Sequence, residues 1–290
     1  SNRVVVTRCT PLFHHRSPGS HDNRRSALRR IAIASASSLV TATSTIANAI
    51  TPQQASTSYD KYAPNYNALD GGSIATSLGI DDARKQLLSQ AYGNVLEIGA
   101  GTGLNLDSYR FVGDNAITSL TLVDISEGML SVAKAHAEEI QQQIYRQRQL
   151  LLSNNSSTNQ LLPSIKFVKA DATSELISLF GENAFDTVVD TFSLCVMGNE
   201  GARKCLREMT GVVKKGGTIL LIENTRSSNP ILGYYQDVTA STAADMGCLY
   251  NQNVGEMIQQ TNGLHLVKEV EFAAGFFRSF VVKKDDDAMV

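Results

Sequence analysis

The amino-acid sequence predicts an α/β protein: a single domain on a doubly wound, mostly parallel sheet. Three observations point there. Short apolar runs that close on an acidic residue alternate with longer helix-forming segments. A glycine-rich turn joins the first of these runs to the segment after it. Strand–helix–strand alternation within one sheet demands right-handed crossovers, which put helices on both faces.

In chain order, residues 50–58 (Ile-Thr-Pro-Gln-Gln-Ala-Ser-Thr-Ser) read as a linker by composition. The folded domain is expected over residues 59–284, opening on Tyr59-Asp60-Lys61-Tyr62-Ala63-Pro64-Asn65-Tyr66. Residues 81–90 read as a helix leading to the first strand, Val95-Leu96-Glu97-Ile98. The second strand is the apolar run 119–124, closed by Asp124. Ser126 is a good N-cap with Glu127 in the first turn, so a long helix is expected over 129–151. The polar run 153–160 reads as a surface loop. Residues 165–172, ending in Asp171-Ala172, and 185–192 supply a third and a fourth strand. A helix over 199–213 is stopped by Lys214-Lys215-Gly216-Gly217, which lead into a fifth strand ending at Glu223. The stretches 264–272 and 277–284 alternate around Ala273-Ala274-Gly275 as a closing strand pair, giving seven strands with an antiparallel edge. Residues 285–290 read as a solvated acidic tail.

The glycine turn carries the chemistry. Gly99-Ala100-Gly101-Thr102-Gly103 lets backbone approach a ligand closely and take positive φ at no steric cost. A dinucleotide turn is G-x-G-x-x-G/A and sets a diphosphate on a helix N-terminus. Here Leu104 stands where the third small residue would be. Glu97, two residues before the first glycine, suits a cationic ligand instead. Asp124, at the end of the second strand, is placed to accept hydrogen bonds from ribose hydroxyls.

The G-x-G-x-G pattern after Glu97 resembles motif I of the class I S-adenosylmethionine (SAM) methyltransferases. The fourth strand, Phe185-Asp186-Thr187-Val188-Val189-Asp190-Thr191-Phe192, resembles their motif IV, and Lys214-Lys215-Gly216-Gly217 resembles the turn into their fifth strand. The resemblance covers residues 59–284 and implies a Rossmann-like sheet with SAM as cofactor. It implies a cofactor site of Glu97, Gly99, Ala100, Gly101, Thr102, Gly103, Asp124, Ile125, Met129, Asp171, Ala172 and Thr191, with Asp171 at the adenine amino group and no metal. Tyr59-Asp60-x-x-Ala63-x-x-Tyr66 looks like the entry of ubiquinone/menaquinone C-methyltransferase-like proteins. Residues 186–196 and 222–228, with 246–251, are closer to the Oms-type methyltransferase-like group. These group matches imply a small acceptor: quinone-like, a thiol or another metabolite. Asp190-Thr191-Phe192-Ser193 lacks the N/D-P-P-Y of enzymes that methylate adenine or glutamine nitrogens.

Charge and cysteine usage bound the rest. Residues 1–49 hold seven arginines and one acid, leaving 19 basic and 27 acidic residues beyond them, a net −8. That balance disfavours a nucleic-acid partner. Four separated cysteines, with no C-x-x-C, support neither a zinc site nor a disulfide framework. The acid-poor first thirty residues, Arg24-Arg25, Arg29-Arg30 and Ala47-Asn48-Ala49 read as an organelle address over 1–49. It suits the chloroplast, in its thylakoid-lumen form, with the mitochondrion as the alternative. The apolar stretch inside it holds too many Ser and Thr for a membrane span, and peripheral membrane contact stays open.

Acceptor-side candidates are Tyr59, Tyr66, Asp190, Tyr234, Tyr235 and Asp237, none with diagnostic spacing. His136 and His265 are the only histidines in the folded region. Two other functions are open. A SAM-binding, non-catalytic assembly factor of organellar membrane complexes would have its acceptor space filled by Tyr59, Tyr66 or the 226–250 segment. An NAD-dependent reductase is disfavoured by Leu104 and by the absence of a Tyr-x-x-x-Lys pair.

Overall fold

The computed structural model describes residues 51–67, 76–113, 115–153, 163–245 and 248–286. The proposed address over 1–49, nearly all of the polar insert and residues 287–290 lie outside them.

Seven strands form one sheet in the order β3-β2-β1-β4-β5-β7-β6. They are β1 (Gly93–Ile98), β2 (Ile117–Asp124), β3 (Ser164–Lys169), β4 (Phe185–Thr191), β5 (Val213–Asn224), β6 (Leu264–Phe272) and β7 (Phe277–Lys284). The first five run parallel. β7 runs antiparallel between β5 and β6, and β6 forms the outer edge. The doubly wound sheet with an antiparallel closing pair is the architecture the alternating pattern predicts.

Strands buried on both faces send alternate side chains to opposite sides. Leu96 and Ile98 of β1, with Val188 and Leu221, pack against Leu206 and Met209 of α5 (Leu194–Val212). Val95, Leu120, Leu122, Val189 and Leu220 face the other way, onto Ala133, Ala137, Ile140 and Ile144 of α3 (Glu127–Ser153). Those α3 positions recur at helical spacing, so one stripe of a long, otherwise polar helix is buried. The remaining helices are α1 (Pro52–Tyr62), α2 (Ile80–Leu88), α4 (Leu176–Phe180), α6 (Pro230–Asp245) and α7 (Val254–Gln259). Among the described residues no helix is long and apolar enough to cross a membrane. Cys195 and Cys205 are buried.

Two segments differ from the sequence expectation. Residues 52–58 are not an unstructured linker but the first turns of α1. Thr51 caps it reciprocally: its Oγ1 accepts from Gln54 N at 3.3 Å, and its own N–H donates to Gln54 Oε1 at 2.8 Å. Pro52 sits at the first helical position, where its missing N–H costs nothing. The helix expected from residue 199 begins at Leu194 instead. Leu194-Cys195-Val196 reads as strand continuation, yet Asp190 accepts from Ser193 N at 3.1 Å and turns the chain early. Gly198 (φ 69°) kinks the helix between that first turn and the rest.

Candidate active site

The strand order reverses between β1 and β4, and a crevice opens there outside the carboxyl ends of the parallel strands. It holds a cavity of about 270 Å³, the size of a small-molecule site. Each neighbouring strand end contributes to its wall: Gly99 and Gly101 after β1, Asp124 and Ile125 after β2, Ala170 to Thr173 after β3, and Thr191, Phe192 and Ser193 after β4.

Two glycines are required by geometry. Gly99 has φ 59°, and a Cβ there would lie 2.4 Å from Cβ of Ser193. The chain at this point must therefore lack a side chain for β1 and β4 to deliver their loops side by side. Gly101 has φ 55°, and a Cβ there would meet only Gly99 O, at 3.9 Å. Gly101 lines the cavity, so a side chain would take space from a ligand rather than from the fold.

Asp124 is nine-tenths buried. Its Oδ2 accepts from Gly101 N and its Oδ1 from Ser126 N, both at 2.8 Å. Burial raises its pKa, while the backbone donors from Ser126, Gly101 and Ile125 oppose that. Each oxygen keeps acceptor capacity toward the cavity, as a ribose diol needs. Asp171 is oriented by Thr173, whose N–H and Oγ1 donate to its Oδ1 at 2.9 and 2.7 Å. Ile125, Met129, Ala172, Val196 and Met197 give apolar wall, suited to a planar base.

Of the expected cofactor residues, Gly99, Gly101, Asp124, Ile125, Met129, Asp171, Ala172 and Thr191 line the cavity. Ala100, Thr102, Gly103 and Glu97 do not; Ala100 and Thr102 are buried in the loop itself. Glu97 lies beneath that loop, taking 2.7 Å from Tyr109 OH and 3.0 Å from Asn105 Nδ2. Burial pushes its pKa up to about 7, with the Tyr109 and Asn105 hydrogen bonds and the Arg84 charge acting against it. Asn105 Nδ2 also donates to Thr191 Oγ1 at 2.9 Å, so Glu97 reaches the cavity wall through Asn105 and Thr191.

The acceptor-side candidates divide. Tyr59 and Tyr66 line the cavity, their rings edge-to-face at 6.4 Å. Asp190 is fully buried just behind the wall and takes a 2.7 Å hydrogen bond from Ser193 Oγ. Asp237 is remote: it lies exposed on α6, held by Arg226 through contacts of 2.9 to 3.1 Å. Tyr234 and Tyr235 are exposed on the same helix. His136 lies 3.2 Å from Asp107, and His265 lies 2.7 Å from Asp285, neither of them in the wall.

Sequence reasoning missed the α1 wall, Pro52 and Ala55, and the α5 wall, Val196, Met197, Gly201 and Lys204. It also missed Phe192 and Ser193 as lining residues. For α1 a signal existed: Thr51-Pro52-Gln53-Gln54 is a capping box with proline at its first position. α1 is fastened over the ends of β2 and α3. Asp60 Oδ1 accepts from Ser126 Oγ at 2.6 Å and Gly128 N at 2.8 Å, and Ser56 Oγ donates to Ile125 O at 3.0 Å. Thr102 Oγ1 donates to Asn67 Oδ1, tying the glycine loop to the segment after α1.

Residues 96–221 match the methyltransferase-domain family. The chain is 26% identical over 210 residues to the mitochondrial methyltransferase OMS1 of Saccharomyces cerevisiae, covering 70% of this chain and 41% of that protein. It is 30% identical over 202 residues to the ubiquinone/menaquinone biosynthesis C-methyltransferase UbiE of Hahella chejuensis, covering 67% of this chain and 70% of that one. The chain thus spans well under half of the yeast relative. Among solved structures, the [4+2]-cyclase SpnF superposes with a TM-score of 0.56 at 18% identity, over 83% of this chain and 98% of that chain. The N-methyltransferase NodS of Bradyrhizobium japonicum, in complex with S-adenosylhomocysteine, superposes with a TM-score of 0.52 at 16% identity, over 79% and 98%. These superpositions show the fold; a cyclase among them illustrates that one fold hosts more than one chemistry.

Proposed function

Since this chain belongs to the SAM-dependent methyltransferase family, we propose that it transfers a methyl group to a small organic acceptor of the hydroquinone class inside an organelle. S-adenosylmethionine is the cofactor, and when bound it supplies an electrophilic methyl on a sulfonium. The observation that carries the reading is the cavity at the switch point. In one wall it joins the Gly99–Gly101 loop and Asp124 to Thr191, Phe192 and Ser193.

The residues present fit this cofactor. Gly101 leaves room where a side chain would intrude. Asp124 has acceptor capacity for a ribose diol, Asp171 is held at the third strand end, and Ile125 and Met129 offer an apolar wall for adenine. Methyl transfer is an in-line displacement, so the protein's part is alignment and exclusion of water. Tyr59, Tyr66 and the α1 residues Pro52 and Ala55 add to the wall that would serve both. The methyltransferase family and relatives favour an enzyme over a non-catalytic assembly factor.

The hydroquinone class rests on the names of the UbiE relatives, which are C-methyltransferases of ubiquinone/menaquinone biosynthesis. The organelle rests on the arginine-rich, acid-poor residues 1–49, and the yeast relative favours the mitochondrion over the chloroplast that composition puts first. Calorimetry with SAM and with NADH is the first test, and saturable binding of SAM alone is the expected result. Labelled SAM is then supplied with dithionite-reduced 1,4-naphthoquinone or with 2-mercaptoethanol. Label in the naphthoquinol supports the proposed class; label only in the thiol replaces it.

A further inference from the structure

Three carboxyl groups are buried at neighbouring strand ends: Glu97 on β1, Asp190 on β4 and Glu223 on β5. Glu97 has its own donors. The other two form a separate group that nothing in cofactor binding uses. Asp190 Oδ2 accepts from Ser193 Oγ at 2.7 Å, and its Oδ1 accepts from Ser193 N at 3.1 Å. Glu223 Oε1 accepts from Leu194 N at 3.3 Å, at the start of α5, and its carboxyl is within hydrogen-bonding reach of that of Asp190. Of this group only Ser193 reaches the cavity. It is held there by Phe192, whose φ of 66° is a strained conformation for an aromatic residue.

Resting on the proposed methyl transfer, we infer that Ser193, Asp190 and Glu223 form a proton relay serving a protic acceptor. Ser193 Oγ takes the acceptor's proton while its own hydroxyl proton passes to Asp190 Oδ2. A bond forms between the acceptor and the methyl carbon, and the sulfonium S–C bond breaks with its electron pair left on sulfur. The acceptor's proton is thus matched by one proton on Asp190, which returns to solvent before the next turnover, and nothing is oxidised or reduced. Ser193 is the catalytic residue in this scheme; Asp190 and Glu223 are positioning residues that act through it.

A purely structural cap does not account for the arrangement. One oxygen of Asp190 on Ser193 N would turn the chain, and a second buried acid beside it adds a large desolvation cost. Like charges so close cannot both ionise, so the pair holds a proton at neutral pH. Burial, then the Asp190 charge, pushes Glu223 well above the usual carboxylate range. Burial raises Asp190 to about 7 against the Ser193 and Glu223 hydrogen bonds, the value a base needs near neutrality. The charge of Asp190 reaches Glu97 of β1, which Tyr109 and Arg84 of α2 also face, and Asp190 and Glu223 together reach Cys205 of α5, which Asp171 and Glu208 also face. Burial keeps the Cys205 thiol neutral.

The test combines turnover with a readout that needs no acceptor. In full-length protein with labelled SAM and reduced 1,4-naphthoquinone, Ser193→Ala should bind SAM within about threefold of wild type. Its kcat should fall about 100-fold and lose the rise with pH near neutrality, and Ser193→Thr should restore part of both. Infrared difference spectra of the protein alone should show, beyond the band of Glu97, a second protonated-carboxyl band titrating near neutral pH, absent in Asp190→Asn and shifted in Ser193→Ala. An unchanged kcat and pH profile in Ser193→Ala overturns the relay and leaves methyl transfer standing. Absence of the second band overturns it whatever the turnover. A wild type that binds SAM and shows the second band, but methylates no hydroquinone, supports the relay and overturns the acceptor class.

Discussion

Gly101 is a position where one methyl group separates folding from binding. Its Cβ would meet little of the protein, so Gly101→Ala should fold, at the cost of a strained φ of 55°. The added carbon stands in the cavity, and SAM affinity by calorimetry should fall at least about tenfold, or 1.4 kcal/mol. Wild-type affinity in a folded variant would remove Gly101 from the cofactor site. Asp124→Ala should do the same through lost acceptors, and it also frees Gly101 N and Ser126 N. Glu97 gives a pH signature. Its pKa is 4.5 ordinarily and about 7 in the fold, so between those values the folded protein holds a proton that the unfolded chain has released. Stability from this group is therefore lost as pH rises through that window. Glu97→Gln keeps one acceptor for Tyr109 or Asn105 without the ionisation, and should flatten the decline in Tm between about pH 5 and about pH 8. An unaltered slope would place the titration elsewhere. Residues at strand ends with fixed spacing, such as Gly99 and Asp124, were legible in the sequence. The partners of Glu97 were not, because Asn105 and Tyr109 return to it only through the fold of the loop.

Among the elements, strands β1, β2, β4 and β5 were legible because burial on both faces leaves a largely apolar run, and the half-exposed edge strand β3 because Ile165-Lys166-Phe167 alternates; each run is followed or closed by a chemically distinct residue. The start of α5 was not, because Leu194-Cys195-Val196 is as apolar as a strand and only the Asp190–Ser193 hydrogen bonds turn it. α1 was hidden by its composition: Thr, Pro, Gln and Ser suggest a loop, yet the same residues cap and start a helix. Its attachment hangs on Asp60, which the Ser126 hydroxyl first, and Gly128 N next, hold below the usual carboxylate range. The stability it contributes is present above its unfolded pKa and is lost as pH falls through the folded one. Asp60→Ala should release α1 from α3 while leaving the sheet intact. Limited proteolysis should then cut within 52–62, and SAM affinity should drop about tenfold because Pro52, Ala55 and Tyr59 leave the wall. Equal resistance to protease and equal affinity would show that α1 holds its place without Asp60.

At the scale of the whole molecule, the composition boundary nearly coincides with the start of α1. The address-like signature ends at Ala47-Asn48-Ala49, and the capping box of α1 begins at Thr51. Cleavage after Ala49 would leave Thr51, Pro52 and Gln54 in place, so the wall residues Pro52, Ala55 and Tyr59 would be kept. Reading the domain as starting at residue 59 would remove the cap, seven of the eleven residues of α1 and two wall residues at once. Two truncations separate these boundaries. A chain of residues 50–290 should match the full chain in Tm and in SAM affinity, since the net charge of −8 beyond residue 49 stays with the folded part. A chain of residues 59–290 should keep the sheet, because both core clusters lie beyond residue 59, yet bind SAM at least about tenfold more weakly. If 50–290 fails to fold, residues 1–49 are structural and the address reading falls. If 59–290 binds as tightly as the full chain, α1 is a bystander and the cofactor is held by the strand ends alone.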